Sequence, residues 1–370
     1  MKRSNTRALA MPMRIPAHVR LAAFLVLALA ACEHARAATF CIAATDFAGL
    51  QSSLMTAANN GEDDFIELQR GQYSMPSNFL LDYEAVTEHH DLTIEGGYED
   101  IPGGGPCGWA HTSPDPRPTV LDGGLLRLHL AAGVGSLTLK SITVQSTFGI
   151  DPNHPPIEIA AAATSTGNIT IENMMFIGNG STSTSAVYIF TAAGALSVRN
   201  SLFETNVSFA GQSPVRLGSL QTNASLCAAI VNSTFTGNTS STAAVDVYTP
   251  MCLAVVANDI FWGNSGGDVV FDYPQSAYLL NDDLGDLSEA ANTQASDLLS
   301  VDPLFKPDFS LRDSSPLRDK GNNDGFVFSP GPLDVIGNPR VYGSNPDIGA
   351  YEIQDVIFAS DFDVEWPSVP

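Results

Sequence analysis

The densest run of ligand-type side chains is Asn281-Asp282-Asp283-Leu284-Gly285-Asp286. Bunched carboxylates supply the hard oxygen ligands that Ca²⁺ takes, about six to eight of them. Asp282, Asp283 and Asp286 are therefore candidate calcium ligands, although Asp and Asn also serve simply to make turns. His89 and His90 are adjacent imidazoles, and all five His beyond the leader (His89, His90, His111, His129, His154) come early in the chain. Cleaving an acidic polysaccharide by elimination needs a Lys or Arg base, and positive charge or a metal to neutralise the uronate. Between Asp91 and Ser300 only five Lys and Arg (Arg117, Arg127, Lys140, Arg199, Arg216) stand against 19 acids. Hydrolysing a glycoside needs two facing carboxylates roughly 5–9.5 Å apart. Asp282-Asp283 offers carboxylates for that purpose or for a metal-assisted site, and the Lys and Arg form no cluster at repeat spacing except the Lys140 and Arg199 column, which Glu172 interrupts.

These residues hang on a repeat. Asn173-MMFIG-Asn179, Asn200-SLFET-Asn206, Asn232-STFTG-Asn238 and Asn258-DIFWG-Asn264 all read N-x-x-F-x-x-N, with Phe176, Phe203, Phe235 and Phe261 at the centre. Their starts lie 27, 32 and 26 residues apart, and a worn copy precedes them around Ser141, Val144 and Thr147. A period of this size marks a unit that cannot bury its apolar face alone. Ahead of each first Asn the apolar residues alternate, as in Ile169 and Ile171 or Leu196 and Val198, which is the strand period. Asn tolerates the left-handed backbone of a corner. Identical Asn side chains stacked one strand spacing apart can bond to each other, and stacked Phe fills the interior beneath. These requirements together predict an all-β fold, a right-handed parallel β-helix with a ladder of Asn173, Asn200, Asn232 and Asn258 over Phe176, Phe203, Phe235 and Phe261. Asp46 to Asn59 reads as a helix with Asp46 as its cap, placed to cover the open N-terminal edge. Lys140, Glu172 and Arg199 share one column and predict a ladder of outer-face charge pairs. The excursions at Asp151–Ile157 and Ser208–Ser219 and the turn at Asn281 are where specificity belongs.

Lys2, Arg3, Arg7, Arg14 and Arg20 precede the apolar run Leu21–Ala31, a targeting leader too short to span a bilayer as a mature helix. Two cleavage sites follow. Leu29-Ala30-Ala31-Cys32 resembles a lipobox, with Cys32 as the lipidated residue, and Ala35-Arg36-Ala37 suits an ordinary signal peptidase. Either way the sequence predicts export, to the outer membrane or beyond, with contact to a membrane only through a lipid on Cys32. Beyond Ala37 stand 11 basic and 39 acidic residues, a net charge of 11 − 39 = −28, which repels nucleic acid and excludes it as a partner. Four Cys remain in the mature chain, an even number that predicts disulfides. Cys227 lies five places before Asn232 and Cys252 six before Asn258, so they occupy nearly one column of adjacent turns, within disulfide reach. Cys41 and Cys107 then pair by elimination.

The C-terminal series Asp302-Pro303-Leu304-Phe305, Ser315-Pro316, Asp319-Lys320-Gly321, Asp334–Arg340 (DVIGNPR) and Asp347–Glu352 (DIGAYE) resembles the signature of bacterial right-handed β-helix proteins called choice-of-anchor Q domain proteins. Phe40-Cys41 and the Leu92–Tyr98 turn are similar to those proteins too, so the likeness covers most of the mature chain and implies a pectin-lyase-like fold. Ile357, Phe358 and Phe362 resemble the short IFxDGFE tail of some exported bacterial proteins. The polygalacturonase pattern has its Asp-Asp here, but no His follows His154 and no Arg-Ile-Lys occurs. The organisation read from the chain is a leader at 1–37 (1–31 with a lipidated Cys32), a cap and first turn at 38–90, the coil at 91–300 and a C-terminal segment at 301–370. The function read from it is a non-catalytic exported scaffold that binds a glycan or a cell-surface protein. The alternative is a polysaccharide lyase or glycoside hydrolase using Asp carboxylates with calcium.

Overall fold

Repeats that cannot bury themselves must pair edge to edge, and the computed structural model shows them doing so. It describes residues 37–354, apart from 87–89, 102–103, 134, 223–225, 274–275 and 324–330. Cys32, His89 and the tail at 357–366 lie outside the described residues. Each turn contributes short strands to long parallel sheets, which makes the fold an all-β parallel solenoid. One face is an 11-stranded sheet that includes Asp64–Gln69, Leu92–Asp100, Leu137–Lys140, Ile169–Glu172, Leu196–Arg199, Leu226–Val231, Leu253–Ala257 and Ala277–Leu280. A 13-stranded sheet forms two further faces, joined through the long strand Thr119–Leu130. The first half of that strand pairs with Thr143–Gln145, which opens the Phe face, and the second half pairs with Ile157–Ala161.

Corners are made where a residue adopts the left-handed backbone. Ser141, Asn173, Asn200, Asn232, Asn258 and Asn281 all have φ between 47° and 58°, a region that Asn tolerates better than most side chains. A second left-handed column, Ser146, Gly178, Thr205, Gly237 and Gly263, stands just before the second Asn of each phrase. Between the corners the four Phe rings are fully buried and stack at 4.9, 4.7 and 4.7 Å between centroids, with interplanar angles of 16°, 11° and 2°. Offset ring stacking adds to burial worth about 1.5–3 kcal/mol for each side chain. In strand register Val144 precedes the stack and Leu284 closes it.

The hydrogen-bonded ladder belongs to the second Asn, which corrects the expectation placed on the first. Asn179 Nδ2 donates to Asn206 Oδ1, Asn206 to Asn238 and Asn238 to Asn264, each at 3.0 Å. The same Oδ1 atoms accept the backbone N–H of the preceding turn's Asn. Each Nδ2 also donates to a carbonyl one turn back, as Asn206 does to Phe176 at 3.0 Å. In the first column Asn258 Nδ2 stands 3.4 Å from Asn232 Oδ1. Those side chains instead hold the C-terminal segment. Asn173 Nδ2 donates to the Asp334 carbonyl, Asn232 to Asp347, Asn258 to Asn322 and Asn281 to Lys320. The segment therefore runs along the corner line of several turns. Its own centre is Arg340, which is 1 % exposed. The guanidinium donates to the carbonyls of Ala350, Asp347, Gly349 and Tyr351 and stands 3.5 Å from Glu352. The DIGAYE string thus builds structure: Asp347 accepts from Asp319 and Ile353 N–H, and Glu352 from Tyr342 and Asp347 N–H.

The ends are covered. Helix α1, Phe47–Ala57, is capped by Asp46 Oδ1 on the Gly49 N–H at 2.8 Å. Its Leu50 and Leu54 share the interior with Leu81, Leu121 and Leu126. At the other end Glu289 accepts the N–H groups of Asp268 and Val269 at 2.8 Å, next to the edge strand Val269–Phe271. Cys41 is bonded to Cys107 and Cys227 to Cys252, with Cα separations of 5.4 and 5.8 Å. A register shift between Leu226 and Ala228 absorbs the one-residue offset between Cys227 and Cys252.

Candidate functional site

The calcium candidates do not form a site. Asp282 and Asp283 are buried, and Asp286 is exposed. Among the described residues no group of three or more His, Cys, Asp or Glu is arranged to hold a metal. The reason lies in strand register. Met174, Ser201, Ser233, Asp259 and Asp282 form a column in which each oxygen accepts the backbone N–H of the turn before. Ser201 Oγ takes Met174 N–H, Ser233 takes Ser201, Asp259 takes Ser233 and Asp282 takes Asp259. The other Asp282 oxygen accepts from Leu280 N–H, Asp283 accepts from Val301 N–H, and Asp286 caps the turn at Ser288.

Burial raises the Asp282 carboxyl to about 8 and the Asp283 carboxyl to about 7. Asp259 is driven upward by burial first and then by Asp282. Near 3.9 in the unfolded chain, these groups take up protons on folding. The folded state then holds more protons than the unfolded one between about pH 4 and pH 8, so stability falls as pH rises through that window. Melting temperatures measured from pH 5 to pH 8 are expected to decline, with a loss on the order of 1 kcal/mol per pH unit. Asp282→Asn, which cannot ionise, is expected to flatten the slope at the cost of one accepted bond. A melting temperature that climbs across the same range would contradict this.

The charge column on the 11-stranded sheet is in register as Lys140, Glu172 and Arg199. Lys140 Nζ stands 3.6 Å from Glu172, while Arg199 donates to Ser197 Oγ. His90 lies 3.4 Å from Asp63. Among the described residues neither place gathers three or more groups that could hold a metal.

Convergence occurs on another face. The strands Ile157–Ala161, Val187–Thr191, Val215–Ser219 and Val245–Tyr248 follow Thr119–Leu130 and Gly71–Ala85 in parallel register. Ile157, Ile159, Val187, Ile189, Val215, Leu217, Val245 and Val247 point into the core. Strand alternation then turns the intervening residues outward. One outward column runs Asp82, Arg127, Glu158, Tyr188, Arg216, Asp246, and the next runs Glu84, His129, Ala160, Phe190, Gly218, Tyr248.

The Arg and His side chains of this groove all stand against carboxylates. Arg127 donates through Nε and Nη2 to the two Asp82 oxygens at 2.8 and 2.9 Å. His129 Nε2 and His154 Nδ1 stand 3.1 and 3.3 Å from the two oxygens of Glu158. Arg216 Nε lies 3.0 Å from Asp246 Oδ2, and its guanidinium lies 4.8 Å from the Tyr248 ring centre. The rings continue side by side: Tyr188 and Phe190 at 5.4 Å, Phe190 and Tyr248 at 6.2 Å, Tyr248 and Tyr273 at 5.5 Å. Gly218 makes this possible, since a Cβ there would meet the Phe190 ring at 2.9 Å.

Two cavities open on the groove. One, of about 310 Å³, is lined by Glu158, Tyr188 and Arg216 together with Asn153, Ser183 and Gln212. The other, of about 150 Å³, is lined by Arg127, Glu158, His154 and the loop residues Phe148, Ile150 and Asp151. Glu158 and Pro155 border both. The excursions at Asp151 and Ser208 thus supply lining residues, and the turn at Asn281 supplies none. Three buried polar atoms on this face have no aligned hydrogen-bond partner within the chain: His129 Nε2, Arg216 Nε and Asp246 Oδ1. The Arg216–Asp246 contact is close yet off-axis, so the pair is an ion pair without a well-directed bond.

Burial pushes Asp246 up to about 6 despite Arg216, with Asp272 adding to the rise. At Glu158 burial also pushes upward, but His129 and His154 outweigh it and hold the carboxyl below its ordinary value. Tyr188 is raised, by burial first.

The N-x-x-F-x-x-N phrase does not announce these residues, because it sets the register of the other faces. A second alternating pattern, Ile157/Ile159, Val187/Ile189, Val215/Leu217 and Val245/Val247, carries them and would have revealed the face. Comparison with protein families, with curated proteins and with solved structures finds no match to this chain.

Proposed function

We propose that this is an exported, non-catalytic parallel β-helix protein that binds a glycan in the groove between Asp82 and Tyr248. The coil is read as right-handed, because a parallel crossover between strands of one sheet is right-handed in nearly all proteins. The C-terminal likeness to choice-of-anchor Q domain proteins supports the same reading. Two disulfides suit an oxidising compartment, and the leader supports export. No described helix is long and apolar enough to cross a membrane.

The observation that carries the proposal is the pairing of a ring platform with two adjoining cavities that share Glu158 and carry the polar side chains Asn153, Ser183 and Gln212. Sugars present C–H faces to the negative face of an aromatic ring and hydroxyls to polar side chains on the cavity wall. Binding sites commonly combine apolar walls with a few placed polar groups. Glu158 and Asp246 are not spaced as a hydrolytic pair. Glu158 and Asp246 stand three strands apart in register, about 14 Å at ~4.8 Å per strand, whereas paired hydrolytic carboxylates lie roughly 5–9.5 Å apart.

Calorimetric titration of the mature chain with defined oligosaccharides tests this. Tyr188→Ala is expected to weaken binding about ten-fold, the equivalent of ~1.4 kcal/mol, with an unchanged melting temperature. Equal affinity in the variant would remove the groove from the account.

A further inference from the structure

We infer that the groove selects uncharged sugar chains and rejects uronate polymers; this rests on the glycan reading above. An acidic glycan needs a free cation where its carboxylates lie, and this face has already committed its cations. Arg127 is held in a two-bond fork by Asp82, the geometry in which a guanidinium is most fully satisfied. Arg216 is neutralised by Asp246 and its face is taken by Tyr248. His129 and His154 both sit on Glu158. A uronate entering either cavity would meet Glu158, which borders both, and Asp151 in the smaller one. It would have to break an existing pair and leave a half-buried carboxylate without its partner, a costly exchange.

The acidic surface adds to the barrier. The mature chain carries a net charge of 11 − 39 = −28, so approach of a polyanion is opposed at long range. A neutral chain meets none of these terms. Its hydroxyls can bond to the uncharged polar side chains that line the larger cavity, Asn153, Ser183 and Gln212, while its rings lie against Tyr188. The charged pairs thus act as fixed polar walls, and their matching is the element that discriminates between ligands.

The experiment is calorimetric titration of the mature chain, at 20 and 150 mM NaCl on the scale where screening changes strongly, with cellohexaose, mannohexaose, xylohexaose and hexagalacturonate. At least one neutral hexaose is expected to bind at least ten-fold more tightly than hexagalacturonate. Lowering the salt is expected not to help the uronate. Asp246→Asn releases Arg216 and is expected to raise hexagalacturonate affinity several-fold, and a melting curve of the variant confirms that it is folded. Hexagalacturonate binding as tight as the best neutral sugar overturns the inference and leaves the glycan reading standing. Binding of none of the four overturns both.

Discussion

Replacing Asn206 by aspartate is expected to cost about 2–6 kcal/mol, although it changes a single NH2 to oxygen. Asn206 Nδ2 donates to the Phe176 carbonyl and to Asn238 Oδ1, both at 3.0 Å. In the aspartate both acceptors lose this bond, although Asn238 Oδ1 keeps the Asn206 backbone N–H, and each buried bond lost costs about 1–3 kcal/mol. A carboxylate oxygen would also face two oxygens at close range in a site with no cation nearby. Total stability for a domain is about 5–15 kcal/mol, so the loss is a large share of it. Chemical denaturation of the variant measures it. The cost should shrink below pH 5, where the new acid takes a proton and regains one donor. A variant as stable as the parent at pH 7 would show that the Asn ladder contributes little.

The second large effect lies at Arg340. Arg340→Met keeps much of the volume and removes the cation. Glu352, Asp334 and Asp347 then remain without the charge that now restrains them, and four carbonyls lose one of their hydrogen bonds. Removing one partner of a buried pair costs about 3–5 kcal/mol. Glu352 is already pushed up to about 7, by burial first, with Arg340 holding it down. Without Arg340 it protonates more readily, so the loss is expected to be larger at pH 8 than at pH 5. Because the segment is bound along the Asn corners, proteolysis is expected to release residues near the C-terminus from the variant before it cuts the coil. Loss of the coil first would argue that the segment and the coil unfold as one.

How far the residues alone reveal this molecule depends on which columns repeat by identity and which by role. Phe176, Phe203, Phe235 and Phe261 are identical letters in identical surroundings, and their stack is legible without coordinates. So is the left-handed corner at Asn173, Asn200, Asn232 and Asn258. Which Asn bonds to its neighbour was not legible. Both columns have the same composition, and the choice depends on whether the side chain turns inward or out toward another segment. The outward column is occupied by the C-terminal segment, whose folding back cannot be read from a repeat period. The Ser201, Ser233, Asp259 and Asp282 column repeats a role, an oxygen for the preceding N–H, with different residue types. Asp282 and Asp283 therefore read as metal ligands when they are interior acceptors. The groove suffers the same way. Asp82, Arg127, Glu158, Tyr188, Arg216 and Asp246 share no letter, and only strand register brings them together.

The central claim is that an intact, uncharged glycan lies in the groove between Asp82 and Tyr248. A crystal structure of the mature chain with the tightest-binding hexasaccharide tests it most directly. The expected result is an uncleaved chain with one ring against Tyr188, hydroxyls within hydrogen-bond distance of Arg216 and Asp246, and the 153–155 and 183–185 loops in contact with it. A chain bound on another face, or a cleaved product in this one, would contradict the account.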